Sequence, residues 1–154
     1  MSFRASGLIR WIFRGWLCVA LAGGAGAREI YVSPEGDDAN PGTRELPWKT
    51  LAQVSSEAGP GDTFLFLPGE YSGRLIPARS SRPERPIVFR AAEPRRAVWY
   101  APSGSGAVIE LRGLQHITLD GLHVTGREQS TWFFLDACRQ ITIKNCRFGN
   151  ASSS

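Results

Sequence analysis

The sequence of 154 residues contains only two lysines, two histidines and three cysteines. No CxxC or HExxH pattern occurs, so the sequence does not indicate a zinc site. Neither histidine has a serine or cysteine at a recognisable triad spacing, which gives no support to nucleophilic catalysis of that kind. No apolar run reaches the roughly 20 residues of a membrane-spanning helix. Helical segments do not alternate with strands, which argues against a doubly wound α/β fold.

The N-terminal segment 1–27 has the features of a secretory signal peptide. Arg4, Arg10 and Arg14 precede an apolar run over 16–22, and Ala25 and Ala27 occupy the small-residue positions of an A-x-A cleavage site. We therefore expect cleavage after Ala27 and a secreted or periplasmic protein. A transmembrane anchor is the alternative, and the shortness of the apolar run argues against it.

The net charge changes once this leader is subtracted. The whole chain has 18 basic and 14 acidic residues, for a net charge of +4. Three of the basic residues lie in the leader, so the segment 28–154 carries 15 basic against 14 acidic residues, or +1. So small an excess does not indicate a nucleic-acid partner.

One segment after the leader has the pattern of a helix. A short strand over 28–36 and a turn-rich loop lead into "PWKTLAQVSSEAGPGD", where Pro47 suits a helix start. Leu51, Val54 and Ala58 fall on one helical face, and the following Gly-Pro-Gly ends the pattern. The sequence therefore predicts one amphipathic helix of about three turns.

The remainder consists of short strands separated by glycine, proline or polar turns, and part of it repeats. "ITLDGLHV" (117–124) resembles "ITIKNCRF" (141–148), an offset of 24 along the chain, and the apolar match extends back to Ile109 with Phe133. Two earlier runs, 64–66 and 87–89, align at an offset of 23. A fixed period in a β-rich sequence predicts an all-β solenoid, for which we count about three to four rungs.

Stacking at this period brings like positions together on rungs about 4.8 Å apart. Gly121 and Asn145 share a slot, and both residue types tolerate a left-handed backbone, so we expect a corner between two strands there. Two outward slots then hold opposite charges, namely Arg112 with Asp136 and Asp120 with Lys144. As surface pairs, each would contribute about 0.2–1 kcal/mol.

Two cysteines remain after the leader, Cys138 and Cys146, in slots that hold Leu114 and Leu122 one repeat earlier. We interpret both as small buried apolar residues. A disulfide between them is the alternative, subject to strict bridge geometry.

The N-terminal half is more specific than the rungs. "YVSPEGDDANPGTRELPWKTLAQV" (31–54), "GPGDTFLFLPGEYSG" (59–73) and "RPIVFRA" (85–91) together resemble the start of secreted right-handed parallel β-helix proteins of the pectate-lyase-like superfamily, including families grouped under a DUF1565-type domain. The matching residues are Ser33, Gly36, Asp38, Pro41 to Thr43, Pro47 to Leu51, Pro60 to Thr63, Pro68, Gly69 and Tyr71. The resemblance covers about residues 31–150 and implies a right-handed parallel β-helix.

A solenoid needs a cap over its exposed end, and we expect the predicted helix to cover the first rung. The expected organisation is a signal peptide (1–27), an N-terminal strand, loop and capping helix (28–61), β-helix rungs (62–150) and a polar tail (151–154). No cap is evident in the sequence at the other end. We therefore expect either a fragment of a longer solenoid or a short protein whose C-terminal end is covered by a partner, including self-association.

The resemblance implies an activity on acidic polysaccharide. Lyases of this kind use β-elimination, in which calcium or a basic side chain neutralises a uronate carboxylate while a lysine or arginine removes a proton. Calcium, implied by the resemblance alone, would need several oxygen ligands in one groove. Asp37 and Asp38 are candidate ligands, although residues of this type commonly stabilise turns. The decisive catalytic residues are not identified, and we expect them in rungs absent from this sequence.

Four residues are candidates for substrate binding, namely Lys144, Arg147, His123 and Trp132. Lys144 and Arg147 lie on the last rung with His123 one rung earlier, a modest basic cluster suited to a sugar carboxylate. Asp120 favours the charged form of Lys144, which makes this lysine unsuited as a base. Trp132, with Phe133, could stack on sugar rings, and core packing is the alternative.

We therefore expect the N-terminal part of an exported β-helix protein that binds or processes acidic polysaccharide. A non-catalytic carbohydrate-binding or surface-adhesion solenoid and an inactive fragment are the alternatives. Calcium-dependent release of unsaturated uronide from an acidic glycan would separate the first from the second.

Overall fold

The computed structural model describes residues 27–100, 106–126 and 131–150. Apart from Ala27, the predicted signal peptide lies outside these residues, as does the predicted polar tail. The described elements are β1 Glu29–Val32, α1 Leu51–Glu57, β2 Thr63–Phe66, β3 Gly69–Ser72, β4 Ile87–Ala91, β5 Ala97–Tyr100, β6 Ile109–Arg112, β7 Gln115–Asp120, β8 His123–Gly126, β9 Phe133–Asp136, β10 Arg139–Lys144 and β11 Arg147–Asn150.

All strand pairs between these elements are parallel, and they form three sheets. Sheet A has the order β1-β2-β4-β7-β10, sheet B the order β3-β5-β8-β11, and sheet C pairs β6 with β9. Leu75 extends sheet C by a parallel bridge to Ile109. The chain thus visits the three sheets in turn, completing about three coils and beginning a fourth. This confirms the predicted parallel β-helix.

The predicted offset of 24 is confirmed in all three sheets. Ile117 pairs with Ile141 in sheet A and Val124 with Phe148 in sheet B. Sheet C repeats the same spacing between Ile109 and Phe133. Like residues therefore stack on like residues along the axis, as the repeated phrase predicts.

The predicted offset of 23 between the two earlier runs is wrong. Phe64 pairs with Phe89, at an offset of 25, and their rings stack with centroids 5.4 Å apart. A slip of two residues keeps every side chain on the same face of a strand, because side chains alternate with a period of two. The apolar pattern therefore gave the correct inward face but could not give the register.

The helix is present but shorter than predicted. It begins at Leu51, with the Thr50 hydroxyl accepting from the Gln53 N–H at 3.1 Å, and it buries Leu51 and Val54. Pro47 and Trp48 lie outside the helix, and Trp48 forms a parallel bridge with Val32. Tertiary pairing with β1 thus overrides the helix pattern at its start. The capping role of α1 stays a prediction.

Residues of the N-terminal phrase hold the first coil together. The Asp38 carboxylate accepts the N–H groups of Lys49 and Thr50, both at 2.9 Å, and the Thr50 hydroxyl at 2.6 Å. A Cβ on Gly36 would lie 2.3 Å from the Trp48 carbonyl oxygen, so only glycine fits there. The Tyr71 hydroxyl lies 2.8 Å from the Val32 carbonyl. These residues of the N-terminal phrase therefore stabilise the first coil of the β-helix.

The core is a stack of inward side chains along the axis. In sheet A the register stacks, in order, Ile30, Phe64, Phe89, Leu119 and Ile143. The first four are at most 4% exposed, whereas Ile143 is 41% exposed. Leu135 and Phe148 also face inward on the last strands, at 46% and 36% exposure. Within the described ranges, the apolar interior is therefore uncovered at the C-terminal end.

Candidate functional site

The corner between β7 and β8 organises the first group of candidate residues. Gly121 and Asn145 occupy this corner on successive coils with φ of +71° and +56°, as predicted. The chain then turns from sheet A to sheet B within two residues. Lys144 consequently ends a strand of sheet A, while Arg147 begins the next strand of sheet B.

Lys144 belongs to an ion-pair group on the outer face of sheet A. Its Nζ lies 3.5 Å from Asp120 Oδ2, which confirms the predicted ladder pair. Arg90 Nε donates to the same oxygen at 3.0 Å, and Asn145 Nδ2 donates to Asp120 Oδ1 at 2.9 Å. Arg90 stacks on Asp120 at an offset of 30, so the repeat with its offset of 24 could not reveal it. Two cations share one carboxylate, and the group retains positive charge.

His123 and Arg147 lie side by side on the outer face of sheet B, paired in register. His123 is half-buried and Arg147 is exposed. Burial lowers the pKa of His123, and the charge of Arg147 lowers it further. Neutral imidazole therefore predominates at neutral pH. Among the described side chains, no carboxylate lies within salt-bridge distance of Arg147.

Trp132 is placed apart from these cations. It is half-buried and packs against the core. Together with Thr131, Phe133, Ile143 and Phe148 it lines an apolar depression of about 510 Å³ at the open C-terminal end. The structure thus brings together His123 and Arg147, sets Lys144 beside Asp120 on the neighbouring sheet, and associates Trp132 with the interior.

Sheet C carries a second group, of which the sequence predicted only the pair of Arg112 with Asp136. On its outer face Phe134 is 39% exposed, and the guanidinium of Arg112 lies 4.5 Å from its ring centroid. We call the set Arg74, Glu110, Arg112, Phe134 and Asp136 the Phe134 platform. The offset of 24 could have found it, because Phe134 occupies the slot of the charged residue Glu110 one coil earlier.

Glu110 bridges the two arginines of the platform. Its Oε1 accepts from Arg112 Nε at 2.5 Å, and its Oε2 accepts from Arg74 Nη2. The hydrogen bond from Arg112 lowers the pKa of Glu110, and the same bond raises the pKa of Arg112. Both groups are therefore ionised at neutral pH. Arg112 Nη1 also lies 3.8 Å from Asp136 Oδ2, the other predicted ladder pair.

The two candidate calcium ligands are engaged in hydrogen bonds of the N-terminal segment. Asp37 and Asp38 stabilise turns, since Asp37 Oδ1 accepts the Ala39 N–H and both Asp38 oxygens accept hydrogen bonds near the start of α1. Both Glu110 oxygens are held by arginines. Within residues 27–100, 106–126 and 131–150, no group of three His, Cys, Asp or Glu side chains could hold a metal ion.

Cys138 and Cys146 are free thiols. Both are half-buried against the core, in agreement with the packing interpretation. Each Sγ contacts a backbone carbonyl, that of Leu111 at 3.3 Å for Cys138 and that of Lys144 at 3.2 Å for Cys146. Burial raises the pKa of Cys146, which disfavours its thiolate.

No helix among the described residues is long and apolar enough to cross a membrane. No protein-family model matches the chain. Over 100 residues it is 34% identical to the uncharacterized protein YwoF of Bacillus subtilis (strain 168), a match that covers 62% of this chain and 21% of YwoF. The chain therefore spans about a fifth of the length of that relative.

Solved structures with the same architecture are enzymes that extend well beyond the matched part. A rhamnogalacturonan lyase aligns with a TM-score of 0.63 at 21% identity, covering 80% of this chain and 36% of its own. The pectate lyase Pel9A aligns at 0.51 and 19% identity, covering 64% and 28%. A GH136 lacto-N-biosidase from Eubacterium ramulus aligns at 0.54 and 15% identity, covering 82% and 35%. At these identities the likeness concerns the fold alone: the chain is a parallel β-helix.

Proposed function

We propose that this chain belongs to an exported β-helix protein that binds acidic polysaccharide. The observation that carries the proposal is the charge of the fourth coil: residues 137–150 contain Arg139, Lys144 and Arg147 and no carboxylate. The names of the fold neighbours, a rhamnogalacturonan lyase and a pectate lyase, point to the same substrate class. Export through the leader and a DUF1565-type relationship are parts of the proposal.

Arg147 supplies the contact with a uronate carboxylate. A guanidinium matches a carboxylate with two parallel hydrogen bonds, and charge-assisted bonds of this kind are about twice as strong as neutral ones. His123, neutral and adjacent, can both donate to and accept from sugar hydroxyls. Lys144 adds a second positive charge around the corner, because Asp120 is already shared with Arg90.

A titration of the full chain with oligogalacturonate tests the proposal. The matched control ligand is the fully methyl-esterified oligomer, which has the same sugars without the charge. We expect the acidic oligomer to bind and the esterified one to bind at least tenfold more weakly. Arg147→Gln should weaken binding about fivefold to tenfold, from roughly 1–1.4 kcal/mol. Arg44→Gln, an exposed arginine in the N-terminal loop, should leave it unchanged.

Equal binding of the two oligomers, or wild-type affinity in Arg147→Gln, would overturn the proposal. The same mixtures also show whether the chain processes its ligand. Unsaturated uronide, detected by ultraviolet absorbance with calcium or with a chelator, would indicate lyase-like β-elimination. Binding without this product would favour the non-catalytic carbohydrate-binding or adhesion function.

We further propose that the open C-terminal end self-associates. At the other end of sheet A the edge of β1 is occupied, since Tyr31 N–H donates to Gly42 at 2.8 Å and Ser33 N–H to Trp48 at 2.8 Å. Growth of an open filament along sheet A is therefore blocked, and two copies can bury their exposed ends against each other in a closed, two-fold dimer.

Sedimentation of the full chain between about 1 and 100 µM tests this dimer. Ile143→Arg places a charge on the open interior, whereas Thr142→Arg places it on the opposite face of the same strand. We expect the wild type and Thr142→Arg to dimerise and Ile143→Arg to remain monomeric. A monomeric wild type, or the same oligomeric state in Ile143→Arg and Thr142→Arg, would contradict the proposed dimer.

A further inference from the structure

The Phe134 platform presents an exposed aromatic ring on the outer face of sheet C. Phe134 faces outward from β9, in register with Glu110 of β6. It is 39% exposed even though the Arg112 guanidinium covers part of it. The ring thus remains accessible in a position that holds a charged side chain one coil earlier.

A chain of contacts fixes the arginine above the ring. Arg74 Nε donates to the Ala107 carbonyl at 2.9 Å, which anchors its guanidinium to the backbone. Glu110 joins Arg74 to Arg112, and Arg112 lies over Phe134. The Glu110 side chain is 14% exposed, whereas the side chains of Arg74 and Arg112 that it joins are 31% and 59% exposed. The platform is therefore preorganised before any ligand arrives.

The polar groups beside the ring retain capacity for hydrogen bonds. The side chains of Arg112 and Asp136 are each 59% exposed. Their 3.8 Å separation is longer than a hydrogen bond, so neither is saturated by the other. A planar guanidinium and a carboxylate can each bridge two neighbouring hydroxyl groups, one as a donor and the other as an acceptor.

We propose that the Phe134 platform is a binding site for a neutral pyranose unit. The apolar face of the sugar stacks on the face of the Phe134 ring that Arg112 leaves free, while Arg112 and Asp136 hydrogen-bond its hydroxyl groups from the side. Two arginines and two carboxylates make the platform neutral overall, which distinguishes it from the cationic fourth coil. The site extends the proposed carbohydrate function to a second, uncharged sugar class. It does not depend on Arg147.

The probes are three neutral β-linked oligosaccharides: cellohexaose, mannohexaose and xylohexaose. Calorimetry measures affinity, and saturation-transfer NMR identifies which sugar protons approach the protein. We expect at least one probe to bind, with the largest transfer to the axial C–H protons of one pyranose face. Phe134→Leu retains apolar bulk without a flat ring and should weaken binding about tenfold. Phe134→Trp should retain it.

Phe148→Leu is the matched control, because Phe148 is also an exposed phenylalanine but lies at the open end of the interior. It should bind the probe like the wild type. Arg112→Gln should also weaken binding, since it removes the cation above the ring. Circular dichroism and thermal unfolding of each variant verify that the fold is intact.

Three results would overturn this inference: no binding of any neutral probe, wild-type affinity in Phe134→Leu, or equal losses in Phe134→Leu and Phe148→Leu. The two carbohydrate proposals fail separately. Weaker oligogalacturonate binding in Arg147→Gln, with neutral-sugar binding retained, supports both sites. If the chain binds a neutral probe but binds the acidic and the esterified oligomer equally, the proposed acidic-polysaccharide site is contradicted. The neutral-sugar site at the Phe134 platform is then retained.

Discussion

Gly121 and Asn145 occupy the same corner of successive coils in the left-handed region, with φ of +71° and +56°. Two further pairs share their offset of 24 and this conformation: Gly113 with Ala137, and His116 with Gln140. The Gly121 N–H donates to the Lys144 carbonyl at 3.0 Å, so the corners are hydrogen-bonded to each other. The bends between the strands, and the left-handed residue near the start of β7 and of β10, are therefore repeated along with the apolar pattern.

Gly121→Ala should lower the free energy of unfolding by about 1–2 kcal/mol, because a Cβ is disfavoured in the left-handed conformation. Space is not the cause, since an added Cβ would meet its nearest neighbours at 3.6 Å, an ordinary contact. Gly149→Ala is the control, as its φ is not positive and nothing lies within 4 Å of its added Cβ. Urea unfolding measures the stability of both variants. Equal losses of unfolding free energy in Gly121→Ala and Gly149→Ala would contradict the conformational explanation.

The inward face of β4 can be tested through Phe89. Its ring stacks on Phe64 and it is fully buried, so Phe89→Ala should cost about 3–5 kcal/mol of unfolding free energy. Val88 precedes it on the outer face of the same strand, and Val88→Ala should cost about 1 kcal/mol or less. If Val88→Ala were the more damaging change in urea unfolding, the inward face of β4 would be wrongly assigned.

The later coils could be predicted from the sequence because a constant offset of 24 fixes register, corner and charge pairs together. The earlier coils could not, since the offset is 25 between β2 and β4 and 30 between β4 and β7. Surface connections tolerate such differences in length, and each difference breaks the periodic signal. Arg90 was missed for this reason, although it donates to Asp120.

The sequence analysis identified the cations of the candidate site but missed its exposed aromatic residue. Within the run Trp132 to Leu135, every residue is apolar, so alternation cannot show which side chain faces outward. Trp132 packs against the core, whereas Phe134 is the exposed ring. The offset of 24, which aligns Ile109 with Phe133, also places Phe134 opposite the charged residue Glu110, and this pairing could have assigned Phe134 to the outer face.

Tyr71 should stabilise the fold through its hydroxyl group as well as through its ring. The hydroxyl lies 2.8 Å from the Val32 carbonyl and 2.7 Å from the Leu67 carbonyl, and burial raises the pKa of Tyr71 above its usual value. Tyr71→Phe removes the donor and should cost about 1–2 kcal/mol in urea unfolding. Tyr100→Phe is the control, since that residue lies on the outer face of sheet B. Equal effects would exclude a role for the buried hydroxyl.

Asp120 should make the fold sensitive to acid. Burial alone would raise the pKa of Asp120, but the hydrogen bond from Asn145 and the charges of Lys144 and Arg90 outweigh it and lower the pKa. Its folded pKa thus lies below its unfolded value, so the stabilisation is complete above about pH 4 and is lost as the pH falls through the folded pKa.

The melting temperature of Asp120→Asn should therefore fall less steeply than that of the wild type as the pH is lowered from 5 towards 2. Asp136→Asn is the comparison, because that carboxylate is exposed and lies 3.8 Å from its partner. We expect its acid profile to follow the wild type. Parallel profiles for Asp120→Asn and the wild type would show that the Asp120 ion pairs do not stabilise the fold.

His123 should report the electrostatics of the proposed polysaccharide site. Burial and the charge of Arg147 lower the pKa of His123 from its usual value of 6.5. Imidazole NMR shifts, assigned by comparison with His123→Gln, should give a pKa below that value in the wild type. Arg147→Gln should move that pKa upwards, and Lys144→Gln should leave it in place because Lys144 lies on the neighbouring sheet.

Ligand affinity should follow the same titration. Uronate carboxylates stay ionised well below the pKa of an imidazole, so protonation of His123 adds a cation opposite an unchanged anion. Oligogalacturonate binding should therefore strengthen as the pH falls from 7 towards 5, and His123→Gln should flatten this dependence without abolishing binding. If binding were equally pH-dependent in His123→Gln, the imidazole would not face the ligand, and the site would have to be sought around Lys144 and Arg90 instead.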